Sequence, residues 1–241
     1  MTTLHLKQPI LTVAANTMGR DFVVGDLHGS LALLERSLHS IAFNKQQDRL
    51  FCVGDLIDRG RDSQQLIEWL ANPWFHACMG NHEAVMLDYV ASRSRDLAAT
   101  WQQFGGGWFF DLPPATQRRI AKKVRDHCHF AIEIQSTQGT PEFGIVHADV
   151  PYQLGWQEFK QALMEEEQIR QQTLWSRERG RGDVQTAVEG IGTLVCGHEI
   201  VVKAHKRANV WLLDTGAYLS GIDRGKLSIL ELPETLHEFS E

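Results

Sequence analysis

Three short apolar runs in the first third of the chain end in the same way. Phe22-Val23-Val24 leads into Gly25-Asp26-Leu27-His28-Gly29, and Leu50-Phe51-Cys52-Val53 into Gly54-Asp55-Leu56-Ile57-Asp58-Arg59-Gly60. Phe75-His76-Ala77-Cys78-Met79 leads into Gly80-Asn81-His82-Glu83. Short apolar runs bounded by glycine read as buried strands. Between them, Leu31, Leu34, Leu38 and Ile41, and then Leu66, Ile67, Trp69 and Leu70, keep helical spacing. Ser30 and Asp62 stand where N-caps belong, and Asn72-Pro73 stops the second helix. A third helix is expected from Glu83, with Val85, Met86, Tyr89 and Val90 on its apolar side. Strand and helix alternating in this way predict parallel crossover units and an α/β fold. Ligands of such sheets bind beyond the carboxyl ends of the strands, where all three polar motifs lie.

Those motifs place charge where burial is expected. Asp55, Asp58 and Arg59 follow a buried strand between two glycines, and a cluster of this kind is costly without partners. A metal ion is the simplest partner. Divalent cations of intermediate hardness take carboxylate, amide oxygen and imidazole, which Asp26, His28, Asp55 and Asn81 supply. Two metals need more ligands. His147 and His198 each follow a later strand-like run, Gly144-Ile145-Val146 and Leu194-Val195-Cys196-Gly197. No cysteine joins the pattern, which disfavours a structural zinc site.

Two metals about 4 Å apart can share a carboxylate and a water, and a hydroxide formed there near neutral pH can attack phosphorus in line. Phosphoryl oxygens suit arginine forks. Arg59 is the first candidate, and Leu174-Trp175-Ser176-Arg177-Glu178-Arg179 offers Arg177 or Arg179. The leaving alkoxide needs a proton, for which His82 is free if Asn81 is the ligand. Asp58 would orient it.

The rest of the chain is less regular. An edge strand is expected within Leu4–Val13, interrupted at Gln8-Pro9. Gly105-Gly106-Gly107 reads as a flexible or tight loop, and Trp108-Phe109-Phe110 as core packing. Pro113-Pro114 opens a basic helix near 115–127, and another helix is expected near 157–169. Strands are expected at 130–135, 143–146, 193–196, 210–213 and 227–232, with a mobile loop at 180–183. With 241 residues, 43% of them apolar, and no linker or repeat, one domain over 1–241 is expected. The net charge of -6 argues against a general nucleic-acid binder or a basic membrane-surface protein. No run approaches the roughly 20 apolar residues of a membrane span. The first 20 residues lack a basic start followed by an apolar block, so no secretory signal is expected. Cys52, Cys78, Cys128 and Cys196 form no C-x-x-C pair and read as buried free thiols of a cytoplasmic protein.

The three glycine-bounded motifs together resemble the signatures of the metal-dependent serine/threonine protein phosphatases. The likeness is greatest to the lambda-phage-type and related bacterial enzymes. Gly105 to Phe110, His147-Ala148-Asp149, Trp175 to Arg179 and Asp214-Thr215-Gly216-Ala217 extend it, so that it runs from about residue 21 to the C-terminus. The resemblance implies a metallophosphoesterase β-sandwich of mixed sheets flanked by helices. It implies one metal on Asp26, His28 and Asp55, and a second on Asp55, Asn81, His147 and His198, with Asp55 as bridge. His82 and Asp58 would be the proton-donor pair, and Arg59 and Arg177 would hold the phosphoryl group. Manganese is the expected metal, with iron or zinc as alternatives, and a phosphorylated protein or peptide the expected partner. One departure is visible: Glu199 follows His198 where relatives usually have threonine. A dinucleoside polyphosphate hydrolase would share the three motifs but generally lacks the second Asp of the central one. A non-catalytic phosphoprotein-binding protein usually loses ligands or the His–Asp pair.

Overall fold

A computed structural model describes residues 5–222 and 224–240. Two six-stranded mixed sheets face each other, with helices on their outer sides. The strands are β1 (Ile10–Val13), β2 (Asp21–Val24), β3 (Arg49–Cys52), β4 (Phe75–Cys78), β5 (Cys128–His129) and β6 (Ala131–Gln135). They continue as β7 (Pro141–Val146), β8 (Thr193–Cys196), β9 (His205–Arg207), β10 (Val210–Leu212), β11 (Leu227–Glu231) and β12 (Thr235–Phe239). The first sheet runs β12-β11-β2-β3-β4-β5 and the second β1-β6-β7-β8-β10-β9. β2 to β5 are parallel, as the crossover pattern predicts. β11 joins β2 antiparallel, which makes the sheet mixed.

Alternation along the strands explains the layering. Phe22 and Val24 on β2, and Leu50 and Cys52 on β3, pack in the cluster beneath the helices. Their neighbours Val23 and Phe51 point the other way, into a second cluster with Ile132, Ile134, Ile145 and Val195 from the opposite sheet. Both faces of each central strand are therefore covered, which is why the runs are continuously apolar.

The helices are α1 (Leu31–Ser40), α2 (Ser63–Trp69), α3 (Asn81–Ser92), α4 (Arg95–Gln103), α5 (Pro114–His127), α6 (Trp156–Glu165), α7 (Glu167–Trp175) and α8 (Glu178–Arg181). Ser30 and Asp62 occupy the N-cap positions of α1 and α2, but neither side chain makes a capping bond. α3 begins two residues before the expected start, so its first turn carries Asn81, His82 and Glu83. α4 was not legible from apolar periodicity; Ser94 caps it, accepting from the Leu97 amide. The triple glycine forms a short 3-10 turn, Gly106–Phe109, rather than an open loop. The helix expected near 157–169 is two helices, broken where Glu166 takes extended backbone. The stretch 180–183 holds the last two residues of α8, which closes at Gly182, whose φ of 91° favours glycine. In the expected N-terminal edge strand, Leu4 lies outside the described residues, and β1 begins directly after Pro9. All four cysteines are free and buried. Among the described residues, no helix is long and apolar enough to cross a membrane.

Candidate metal centre

Five strand ends converge on one spot. Asp26 and His28 follow β2, Asp55 follows β3, Asn81 and His82 open α3 after β4, His147 follows β7 and His198 follows β8. The strand-end glycines make this approach possible. A Cβ at Gly80 would overlap Oδ1 of Asp55, and one at Gly197 would overlap Oδ1 of Asp26. At Gly54 it would come 2.8 Å from Nδ1 of His147. Positive φ recurs at His28 (41°), Asp55 (48°), Asp58 (75°), Arg59 (67°) and His198 (71°). Left-handed backbone costs a non-glycine residue about 1–2 kcal/mol, so the surrounding packing holds these side chains where the chain alone would not.

The donor atoms fall into two groups that share Asp55. His28, Asp55 and His82 present ligand atoms within 4.8 Å of one another, and so do Asp55, His147 and His198. Oδ1 of Asn81 lies 2.9 Å from Nε2 of His147, within the second group. Asp26 is absent from the first triplet; its carboxylate accepts the His198 amide at 3.1 and 3.2 Å and faces Gly197.

The tautomers are constrained. Nδ1 of His28 donates to the Ile57 carbonyl at 2.9 Å, and Nδ1 of His147 donates to that of Val53 at 3.2 Å. Each Nε2 is thereby left as an acceptor facing the cluster. Around His147 this brings together its own lone pair, Oδ1 of Asn81, Oδ1 of Asp55 at 3.5 Å and Nδ1 of His198 at 3.2 Å. Buried Nε2 of His198 has no hydrogen-bond partner. Converging acceptors with so few protons between them are a donor set for divalent cations.

Electrostatics agree. Burial pushes His28 and His198 down to about 3, which keeps both imidazoles neutral and able to ligate. Burial would raise Asp55, but His147, His82, His28 and His198 together hold it below the usual carboxylate range. Burial, then the charges of Asp214 and Asp55, push Asp26 well up. Burial likewise lifts Asp214 to about 7. Crowded buried carboxylates of this kind favour added positive charge.

Beside the metal centre, Nδ1 of His82 donates to Oδ2 of Asp58 at 2.6 Å. Burial opposes the charged imidazole of His82, but the charges of Asp55 and Asp58 outweigh it and raise its pKa. The Arg59 guanidinium lies 2.9 Å from Nε2 of His28 and 3.4 Å from Nε2 of His82, over the Tyr218 ring. Arg177 shares a cleft of about 350 Å³ with Arg59, Asn81 and His82. Arg179, its rival in the sequence, is buried and bonded to Asp149 and the Thr186 carbonyl. Glu199 turns to Arg177, with which it forms an ion pair.

Sequence reasoning missed Glu83, Asp214 and Tyr218. Glu83 is the most consequential. Its carboxylate accepts the amides of Asp55, Leu56, Ile57 and Gly80 at 2.9–3.1 Å and so ties the central motif to α3. An acidic residue three positions after the helix-opening glycine was the available signal. Burial and then the Asp55 charge raise this carboxyl, and hydrogen bonds from the Gly80 and Ile57 amides oppose the rise.

The comparisons with known proteins converge with this geometry. The chain is 32% identical to serine/threonine-protein phosphatase 2 of Escherichia coli (strain K12) over 204 residues, 83% of this chain and 88% of that protein. It is 36% identical to serine/threonine-protein phosphatase 1 of Salmonella typhimurium over 208 residues, with the same coverage. Symmetrical bis(5'-nucleosyl)-tetraphosphatase of Pectobacterium carotovorum is 36% identical over only 77 residues, 31% of this chain. A structure of a candidate diadenosine tetraphosphatase has the same fold, with a TM-score of 0.66, 22% identity, and 97% of this chain and 98% of that one covered. Residues 22–213, which hold all the strand-end donors, match the calcineurin-like phosphoesterases, and the chain belongs to that family.

Proposed function

We propose that this phosphoesterase is a protein phosphatase acting on phosphoserine and phosphothreonine, with phosphotyrosine as a further substrate. The observation that carries the reading is the intact Asp58–His82 pair beside Arg59, at the rim of the cluster around Asp55. Asp26, His28 and Asp55 would hold one divalent cation, and Asp55, Asn81, His147 and His198 the other, with manganese preferred over iron or zinc. When bound, such a pair supplies positive charge for the phosphoryl oxygens and an activated water. Arg59 and Arg177 bind and orient the phosphoryl group through their planar forks. His82, charged and aligned by Asp58, gives the proton from Nε2 to the departing alkoxide. Ligands come from both sheets, so residues 1–241 are proposed as one catalytic domain. The four buried thiols suit a reducing cytosol.

The limited match to the tetraphosphatases keeps dinucleotide hydrolysis as the competing reading. Turnover of a phosphothreonine peptide by metal-stripped protein, titrated with manganese, tests the proposal. Manganese-dependent hydrolysis that Asp55→Asn abolishes is expected. Faster hydrolysis of diadenosine tetraphosphate would move the chain to the nucleotide enzymes. Tight phosphopeptide binding without turnover would make it a binding protein.

A further inference from the structure

Asp58 is fully buried, and three N–H donors meet its two oxygens. His82 is one of them. The other two are indoles: Nε1 of Trp101 donates to Oδ2 at 2.6 Å, and Nε1 of Trp108 donates to Oδ1 at 2.8 Å. Trp101 lies in α4 and Trp108 in the 3-10 turn after it, more than 40 residues from Asp58 in the chain. Buried indole N–H groups find partners as a rule, but here two of them meet on the carboxylate that also accepts the Nδ1–H of His82. The glycines between them fit this arrangement unequally. Gly105 has a φ of 99°, and a Cβ there would overlap the Arg59 amide nitrogen. A Cβ at Gly106 would overlap Nε1 of Trp101, whereas one at Gly107 would meet nothing within 4 Å. The first two glycines thus allow this segment to close on Asp58 and Arg59, and the third is free of that demand.

We propose that Trp101 and Trp108 are positioning residues of the proton-donating pair, fixing the Asp58 carboxylate in the orientation that accepts Nδ1–H of His82. Through these two indoles the segment 95–110 supports the active centre and is more than a cover for the core. Without Trp108 only Oδ2 is held, and without Trp101 the His82 bond alone holds Oδ2; in either case the carboxylate is freer to rotate about its Cβ–Cγ bond and the imidazole loses alignment. Trp101 also borders the cleft that holds Arg59 and Arg177, but the effect proposed for both indoles passes through proton delivery to the leaving group.

This inference rests on the assignment of His82 as proton donor, and the test separates the two. Trp108→Phe and Trp101→Phe keep the ring and remove the donor. Turnover is measured on a phosphoserine peptide, whose leaving group needs a proton, and on 2,4-dinitrophenyl phosphate, whose leaving group does not. Each variant is expected to lose about 10- to 100-fold in kcat on the peptide, within the range of general acid catalysis. On the dinitrophenyl ester the expected loss is under about 2-fold, with KM little changed on either substrate. Trp108→Phe in a His82→Ala background should add little further loss, and Gly107→Ala should behave as wild type. Equal losses on both substrates, with a leaving-group effect in His82→Ala, would overturn the role of the indoles alone. No leaving-group effect in His82→Ala would overturn both assignments. A measurement that needs no tryptophan variant uses the indole Nε1–H resonances of the seven tryptophans. Those of Trp101 and Trp108 should move together in His82→Ala while those of Trp69, Trp74, Trp156 and Trp211, which lie outside the cleft, stay, and unmoved signals would contradict the shared carboxylate.

Discussion

Glu199 stands next to a candidate metal ligand, and its carboxylate is taken by the guanidinium of Arg177 and lies within 3.8 Å of Nε of Arg181. A Cβ at Gly180 would overlap that of Glu199, so only glycine lets α8 pack this closely. Arg177 is 43% exposed and lines the cleft, where a phosphoryl group would compete with Glu199 for the same fork. Replacing Glu199 with threonine is therefore expected to lower the inhibition constant for inorganic phosphate by about 2- to 5-fold, the range of a partly exposed ion pair. Inhibition measured against the wild type checks this. Weaker inhibition in the variant would mean that Glu199 orients Arg177 instead of occupying it.

At the scale of elements, the first turn of α3 is the organiser. It presents Asn81 to His147 and His82 to Asp58, and it turns Glu83 back under the loop after β3. Both Glu83 oxygens accept two amides each. Glutamine offers one acceptor and would set its NH₂ against two donors, leaving buried groups unsatisfied at about 1–3 kcal/mol each. Glu83→Gln is expected to lose stability on that scale. It should also weaken manganese binding by about 10-fold or more, because Asp55 loses the support of its loop. Chemical denaturation and metal titration read the two effects separately, and unchanged metal affinity would refute the link.

At the scale of the molecule, the site exists only where two sheets meet, so a cation on Asp55, Asn81, His147 and His198 would tie the ends of β3 and β4 to those of β7 and β8. Manganese at 100 times its dissociation constant should add about 2.7 kcal/mol per cation. For a chain of this length that raises Tm by roughly 5–10 °C. Thermal melts with and without chelator test it, and Asp55→Asn should cancel most of the shift. A second global effect lies away from the metals. Burial, then the charges of His129 and Arg49, lowers His76 to about 4, while its ring stacks on Phe51. Between about pH 6.5 and 4 the unfolded chain then binds a proton at His76 that the folded chain refuses. This contribution to stability is present above pH 6.5 and is lost as pH falls toward 4. His76→Phe should reduce the proton uptake on unfolding in that window by about one, as read from the pH dependence of the unfolding free energy. An unchanged slope would place the titration elsewhere.

What the sequence determined by itself is local and covalent. Three apolar runs closed by glycine announced β2, β3, β4 and the polar groups at their ends. Helical spacing announced α1 and α2, and Pro113-Pro114 announced α5. The candidate donors were legible because each sits directly after a strand, where chain direction alone brings it to the carboxyl edge. The tertiary structure decided what depends on partners remote in sequence. The first sheet is mixed because β11 returns antiparallel to β2, and the second because β7 runs antiparallel to β6 and β9 to β10, pairings that no single window of residues encodes. Arg179 is removed from the cleft by Asp149, and Glu199 is turned to Arg177 by the fit of Gly180. Trp108 looks like a core aromatic in the sequence, since its ring carries the apolar signal, and nothing in the sequence marks Trp101. Where a single N–H on each ring points is a matter of a few tenths of an ångström, and only packing across more than 40 residues of chain sets it.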